Sequence, residues 1–217
     1  MQELLNVTGM ILRTEPIGEY DRRVLLLTKE RGKIAAFAKG ARKQGSRFLA
    51  ATNPFCFGEF GLYVGRSSYS INEVSITNYF EGLREDFVGA YYGMYFLEVM
   101  DFFTQENNDE KEMLKLLYQS LRALQHPNFD NDFVRYIFEI KAIVLNGEYP
   151  GIPEDMVVEE STKYAMQFIV ETRVEKLFTF SVTPNVNHEL RKIAERLRKR
   201  FIDRPFKSLE ILRTLQN

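Results

Sequence analysis

The sequence predicts an α+β protein in which an OB-type five-stranded β-barrel over residues 1–78 precedes an α-helical domain over residues 79–217. Three observations carry this expectation. Residues 7–76 hold five short runs of strand character punctuated by Gly and Pro. From Tyr91 onward, apolar residues recur instead at three- and four-residue spacings. Charge follows a similar partition: residues 1–71 hold 11 Lys and Arg against 6 Asp and Glu, residues 72–186 hold 9 against 20, and residues 187–217 hold 9 against 4. The net charge of −1 therefore conceals two basic ends around an acidic middle, and it does not argue against a polyanionic partner.

Taken in order, Val7 to Arg13, Val24 to Thr28, Ile34 to Ala38, Phe57 to Val64 and Tyr69 to Ile76 read as strands. KERGK joins the second and third as a hairpin, with Gly32 at the position that needs a positive φ. Ser46 to Pro54 reads as a break between the third and fourth. Cys56 is the sole cysteine and sits in the apolar run FCF, so a small buried thiol is expected there. With no second cysteine, an internal disulfide and any multi-cysteine zinc site are excluded.

Helical patterns follow. Tyr91, Tyr92, Tyr95, Phe96, Val99, Phe102 and Phe103 form a stripe at helical spacing, which marks core rather than an exposed stacking platform. Glu110 to Leu124 repeats Met113, Leu114, Leu117, Leu121 and Leu124, and HPNFD breaks it. Phe133 to Leu145 is a further helix that ends at Asn146 and Gly147 as a C-cap does. Ser161 to Phe178 contains another helix, and TPNVN reads as a break. His188 to Phe201 is amphipathic, with Leu190, Ile193, Ala194 and Leu197 inside and a cluster of Arg and Lys outside. Asp203 and Pro205 start a last helix through Leu215.

The densest chemical signal lies at Arg22 to Arg47, where Arg22, Arg23, Lys29, Arg31, Lys33, Lys39, Arg42, Lys43 and Arg47 face a single acid, Glu30. So concentrated a positive charge is the footprint of a polyanion-binding surface. Because a strand alternates faces, Arg22 and Arg23 point opposite ways, so not all of these cations share one surface. Phe37 and Phe48 are candidate stacking aromatics, Phe37 being the one expected in the core. No P-loop, GxSxG, HExxH or dinucleotide fingerprint is present, and acidic pairs such as Glu85–Asp86 and Glu159–Glu160 are sequence neighbours that do not share a helix face. Neither an enzyme nor a bound cofactor is expected. No run reaches the roughly 18–20 apolar residues of a membrane helix, and the N-terminus lacks a secretory pattern, so a cytoplasmic location is expected.

The run VTGMILRTEPIGEYDRRVLLLTKERGKIAAFAKGARK resembles the N-terminal barrel of the bacterial RecO recombination mediators. EGLREDFVGAYYGMYFLEVMD, FVRYIFEIKAIVLNGEYP and RPFKSLEILRTL follow in that family's order, as the first helix after the barrel, the central helix and the closing helix. The likeness is weakest over residues 155–187. Many members carry a four-cysteine zinc module after LNGEYPGIP. This chain has no cysteine there, and a structural zinc site needs about four N or S ligands, so the likeness is to members without the metal.

The resemblance implies a non-enzymatic DNA repair protein that binds single- and double-stranded DNA and anneals strands. It also implies help in RecA loading together with RecR on DNA coated by single-stranded DNA-binding protein, and a place in the bacterial nucleoid. Lys39, Arg42 and Lys43 match the family's cationic loop and lead the DNA-binding expectation, with Arg22, Arg23 and Arg47 beside them. The acidic, apolar-tipped tail of single-stranded DNA-binding protein needs a pocket with nearby cations, for which Arg135 and Lys141 on the central helix are the candidates. Fold alone does not decide function, and an OB-type adaptor for RNA or protein, without annealing activity, is the alternative.

Overall fold

The computed structural model describes residues 4–66 and 68–215. Five strands, β1 (Leu4–Ile17), β2 (Asp21–Thr28), β3 (Gly32–Ala38), β4 (Phe57–Val64) and β5 (Tyr69–Asn78), close into a barrel in the order β1-β2-β3-β5-β4. All neighbours are antiparallel except β3 and β5, which pair in parallel at Ala36↔Tyr69 and Phe37↔Ser70. β1 outruns the expected Val7 to Arg13 because it serves two partners, pairing with β4 from Leu4 to Met10 and with β2 from Gly9 to Ile17. A register shift between Ile11 and Arg13 bends it around the barrel.

Strand alternation builds the interior. Val24 and Leu26 of β2, Ile34, Ala36 and Ala38 of β3, and Phe60 and Leu62 of β4 join Val7, Ile11 and Ile71 in one buried cluster. Each fully buried large aliphatic side chain among them contributes about 1.5–3 kcal/mol. Cys56 is fully buried in the same cluster, as its apolar setting predicts. Phe37 and Phe48 exchange their expected places. Phe37 lies on the outer parity of β3 and is half-buried, whereas Phe48 is buried in the barrel core. The segment read as a break holds a short helix, α1 (Phe48–Ala51), which delivers Phe48 to the core. Four residues make barely one turn, too few to show a helical period.

Helices follow: α2 (Glu81–Glu85), α3 (Phe87–Phe103), α4 (Lys111–Leu124), α5 (Asn131–Leu145), α6 (Glu160–Glu171), α7 (Pro184–Phe201) and α8 (Lys207–Leu215), with a 3-10 turn at Val174–Lys176. The chain divides into two compact units, one made of the residues up to Glu81 with Leu97–Leu114, the other of Gly82–Phe96 with the residues from Lys115 on. In the first unit, the segment after α3 lies on the β2–β3 hairpin. Gly32, at φ +64 as the hairpin requires, bridges to Glu106, and the Lys33 amide donates to the Gln105 carbonyl at 3.0 Å.

In the second unit α5 is central. Asp130 caps its start by accepting from the amides of Asp132 and Phe133, and Gly147 at φ +79 follows its end, as its sequence predicts. The aromatic stripe packs as core: Tyr92, Tyr95 and Phe96 are buried, and Phe96 stacks on Phe138 with ring centroids 4.0 Å apart. α7 begins at Pro184 rather than His188, because TPNVN is a helix start and not a break: Thr183 caps it and Pro184 takes the first turn, where its missing N–H is not needed. Glu139, fully enclosed on α5, accepts from the Tyr95 hydroxyl at 2.6 Å and lies 4.0 Å from Arg198. Burial pushes its carboxyl pKa up, with Arg135, the Tyr95 bond and Arg198 opposing. Among the described residues no helix is long and apolar enough to cross a membrane, and no group of three or more His, Cys, Asp or Glu is placed to hold a metal.

Candidate nucleic-acid interface

Oligonucleotides meet OB-type barrels on the β2–β3 face and at the β1–β2 and β4–β5 connections. The cationic segment 39–47 leaves β3 at that end. Gly40, at φ +64, turns the chain sharply, and its amide donates to the Asp21 carboxylate at 2.7 Å. Ala41 then enters the barrel core, which pins the segment and leaves Lys39, Arg42, Lys43, Gln44 and Gly45 exposed around it. Further hydrogen bonds set its position. The Arg42 amide donates to the Tyr20 carbonyl at 2.8 Å in the β1–β2 turn, and Arg47 donates to the Asn72 carbonyl of β5.

This arrangement brings Lys39, Arg42, Lys43 and Arg47 to one end of the barrel. Lys43 Nζ lies 5.4 Å from the centroid of the Tyr20 ring, within cation–π range. Tyr20 is exposed, and a hydrogen bond with Glu19 raises the pKa of its hydroxyl. Arg66, exposed in the β4–β5 turn, adds a cation that the sequence reading passed over. Its signal was available: a basic residue in GRSS, between two strands of one hairpin, has to sit at a loop tip. Between segment 39–47 and β4–β5 lies a cleft of about 420 Å³ lined by Lys39, Arg47, Tyr63, Ser70 and Asn72, with Phe48 beneath.

Arg22 and Arg23 part company. Arg22 shares the inward parity of Val24 and Leu26, and at the barrel end its Nη1 donates to Leu49 O and Thr52 Oγ1, both at 2.8 Å, and to Asn53 Oδ1 at 3.1 Å. Burial, and then the charge of Arg42, lower its pKa from the usual arginine value. Its guanidinium thus holds the α1 segment in place. Arg23 stands outside, opposite Phe37 in register, and meets Glu15 at 3.3 Å. Exposed pairs of this kind are worth little. At the other end of the same face Lys33 is engaged by Asp101 at 2.9 Å.

Of the two cations considered for a partner tail, one is enclosed and the other keeps 12% of its side chain exposed. Lys141 is buried and donates to the Val170 and Thr172 carbonyls at 2.7 and 2.8 Å, closing the end of α6. Arg135 pairs with Asp132 at 3.1 Å and lies over the Tyr136 ring at 4.9 Å. Burial works to lower its pKa, but Glu139 and Asp132 outweigh that and hold it raised. On α7 the basic cluster divides: Arg191 pairs with Glu195 and Arg196 with Asp155, while Lys199 and Arg200 stand exposed in the last turn, where the helix dipole favours cations.

Comparison with known proteins agrees with the geometry. The family model for the N-terminal part of recombination protein O matches residues 1–80, and that for its C-terminal part matches residues 84–157. The chain is 29% identical to the DNA repair protein RecO of Clostridium novyi, over 98% of this chain and 95% of that protein. It is 24% identical to the protein of the same name from Acetivibrio thermocellus, over 97% of each. The corresponding protein of Symbiobacterium thermophilum is 35% identical over 69% of this chain and 59% of its own length. Two family models that together span most of the chain, and relatives of the same name aligned over nearly its whole length, place this barrel-and-helix chain in the RecO family of DNA repair proteins.

Proposed function

We propose that this protein is a DNA-binding recombination mediator. In this reading it binds single- and double-stranded DNA, promotes annealing of complementary strands, and acts with RecR in loading RecA onto DNA coated by single-stranded DNA-binding protein. The observation that carries the reading is the segment 39–47. Its Lys39, Arg42 and Lys43 are exposed, and the segment that presents them is tied by the Arg42 amide to the turn before β2 and by the Arg47 side chain to β5. Such cations neutralise phosphates and release counterions without reading sequence. Annealing asks for no catalytic group; it asks for a surface that holds strands while leaving their base edges free.

Arg23, Arg47 and Arg66 extend the phosphate track on either side of that segment. Of the two cations proposed for the acidic tail of single-stranded DNA-binding protein, Arg135 is the better supported, because Lys141 is closed in by the end of α6. The protein acts in the bacterial cytoplasm, at the nucleoid. The test is an annealing assay with complementary strands coated by single-stranded DNA-binding protein. A mediator accelerates duplex formation, and Lys39→Ala/Arg42→Ala/Lys43→Ala abolishes most of that acceleration. No acceleration by the unaltered protein would favour an adaptor and refute the proposal.

A further inference from the structure

We propose that Arg47 is a stacking platform for an unpaired base, and that the cleft beside it makes the interface prefer single strands over duplex. The inference rests on the DNA-binding reading above and adds to it a strand type and a residue role. It begins from Phe48. That ring is an aromatic in the right segment, but it is buried in the barrel and offers no free face to a base. It supports another planar group instead: the Arg47 guanidinium lies over the Phe48 ring, 4.8 Å from its centroid.

A guanidinium held this way is pre-organised. Its central carbon is held over the Phe48 ring, the Nη2 group donates to the Asn72 carbonyl, and the residue as a whole is exposed. Planar guanidinium groups stack on bases as aromatic rings do, and one already fixed loses little freedom when a base arrives. The cleft of about 420 Å³ at its side has the matching chemistry. Lys39 stands at it for a phosphate, Tyr63 offers a second ring, and Ser70 and Asn72 line it with polar groups; among the described residues no acid lines it. In a duplex the faces of the bases are covered by their neighbours in the stack, so only an unpaired base can use the platform.

Arg47→Lys tests the idea in the full-length chain, because it keeps the charge and removes the plane. Fluorescence anisotropy with a labelled single strand and a duplex of equal length is the assay. We expect single-strand affinity to fall about tenfold, within the range of one base stack. Duplex affinity should be unchanged, and so should the slope of log affinity against log salt. Full retention of single-strand affinity by the lysine variant, or equal loss for both substrates, would overturn the proposal. Should Arg47→Lys disturb the fold, the unaltered protein decides: a single strand carrying 2-aminopurine loses fluorescence on binding if its bases stack, and constant fluorescence rejects the platform. Failure of the underlying DNA reading shows separately, as undiminished binding by Lys39→Ala/Arg42→Ala/Lys43→Ala.

Discussion

Replacing Arg22 with Met separates what holds the α1 segment in place from what the proposed function assigns to phosphate. Nη1 of Arg22 carries two hydrogens shared among Leu49 O, Thr52 Oγ1 and Asn53 Oδ1, at 2.8, 2.8 and 3.1 Å. A hydrogen bond from a charged donor contributes about 1.5–3 kcal/mol, and solvent reaches part of this guanidinium, so the lower end of that range applies to each of two bonds. The expected loss is about 3 kcal/mol. For a chain of this size that corresponds to a melting temperature lower by about 6–12 °C. Below the melting transition the salt slope of DNA binding should be unaltered. Lys39→Ala/Arg42→Ala/Lys43→Ala should do the reverse: these side chains are exposed, so melting shifts little, while three lost phosphate contacts lower the single-strand salt slope by about 2. Thermal unfolding by circular dichroism and anisotropy titrations at several salt concentrations provide both readouts. An Arg22→Met protein with unchanged melting and a reduced salt slope would refute the assignment and return Arg22 to the DNA surface.

Three further outcomes are expected. Lys141→Met leaves the Val170 and Thr172 carbonyls without their donor and should lower stability by about 2–4 kcal/mol in urea unfolding, whereas a loss under about 0.5 kcal/mol would contradict its role at the end of α6. Glu139 has a folded pKa raised above the ordinary 4.5, so the folded state holds its proton more tightly than the unfolded one. Its contribution is therefore most favourable at and below about pH 4.5 and declines as pH rises through the folded value. Urea midpoints across this window should show the unaltered protein losing stability relative to Glu139→Gln as pH increases, and a difference that stays constant with pH would be inconsistent with the raised value. Gly32→Ala places a Cβ 2.2 Å from the Gln105 carbonyl oxygen at φ +64, and should reduce stability by at least about 2 kcal/mol; a melting temperature equal to that of the unaltered protein would show that the hairpin and residues 105–107 are not packed as described.

Fold class and the position of the cationic segment were legible in the sequence alone, because both rest on local patterns. Alternation at Ile34, Ala36 and Ala38, the turn at Gly32, the caps at Asp130 and Gly147, and the crowding of cations before Arg47 are all visible within a few residues of one another. Several features required the barrel to close. Phe48 was legible as an aromatic beside cations, but only the β3–α1–β4 path shows that it turns inward and supports Arg47. Arg22 reads as one more cation until α1 is brought over the barrel end, where its inward parity sets it against three oxygens remote in sequence. Lys141 is likewise a surface charge on paper and a buried helix anchor in space. Burial and partnership are properties of long-range contacts, which no local period encodes. The sequence therefore located the positive charge, and tertiary structure decided which of those charges remain exposed.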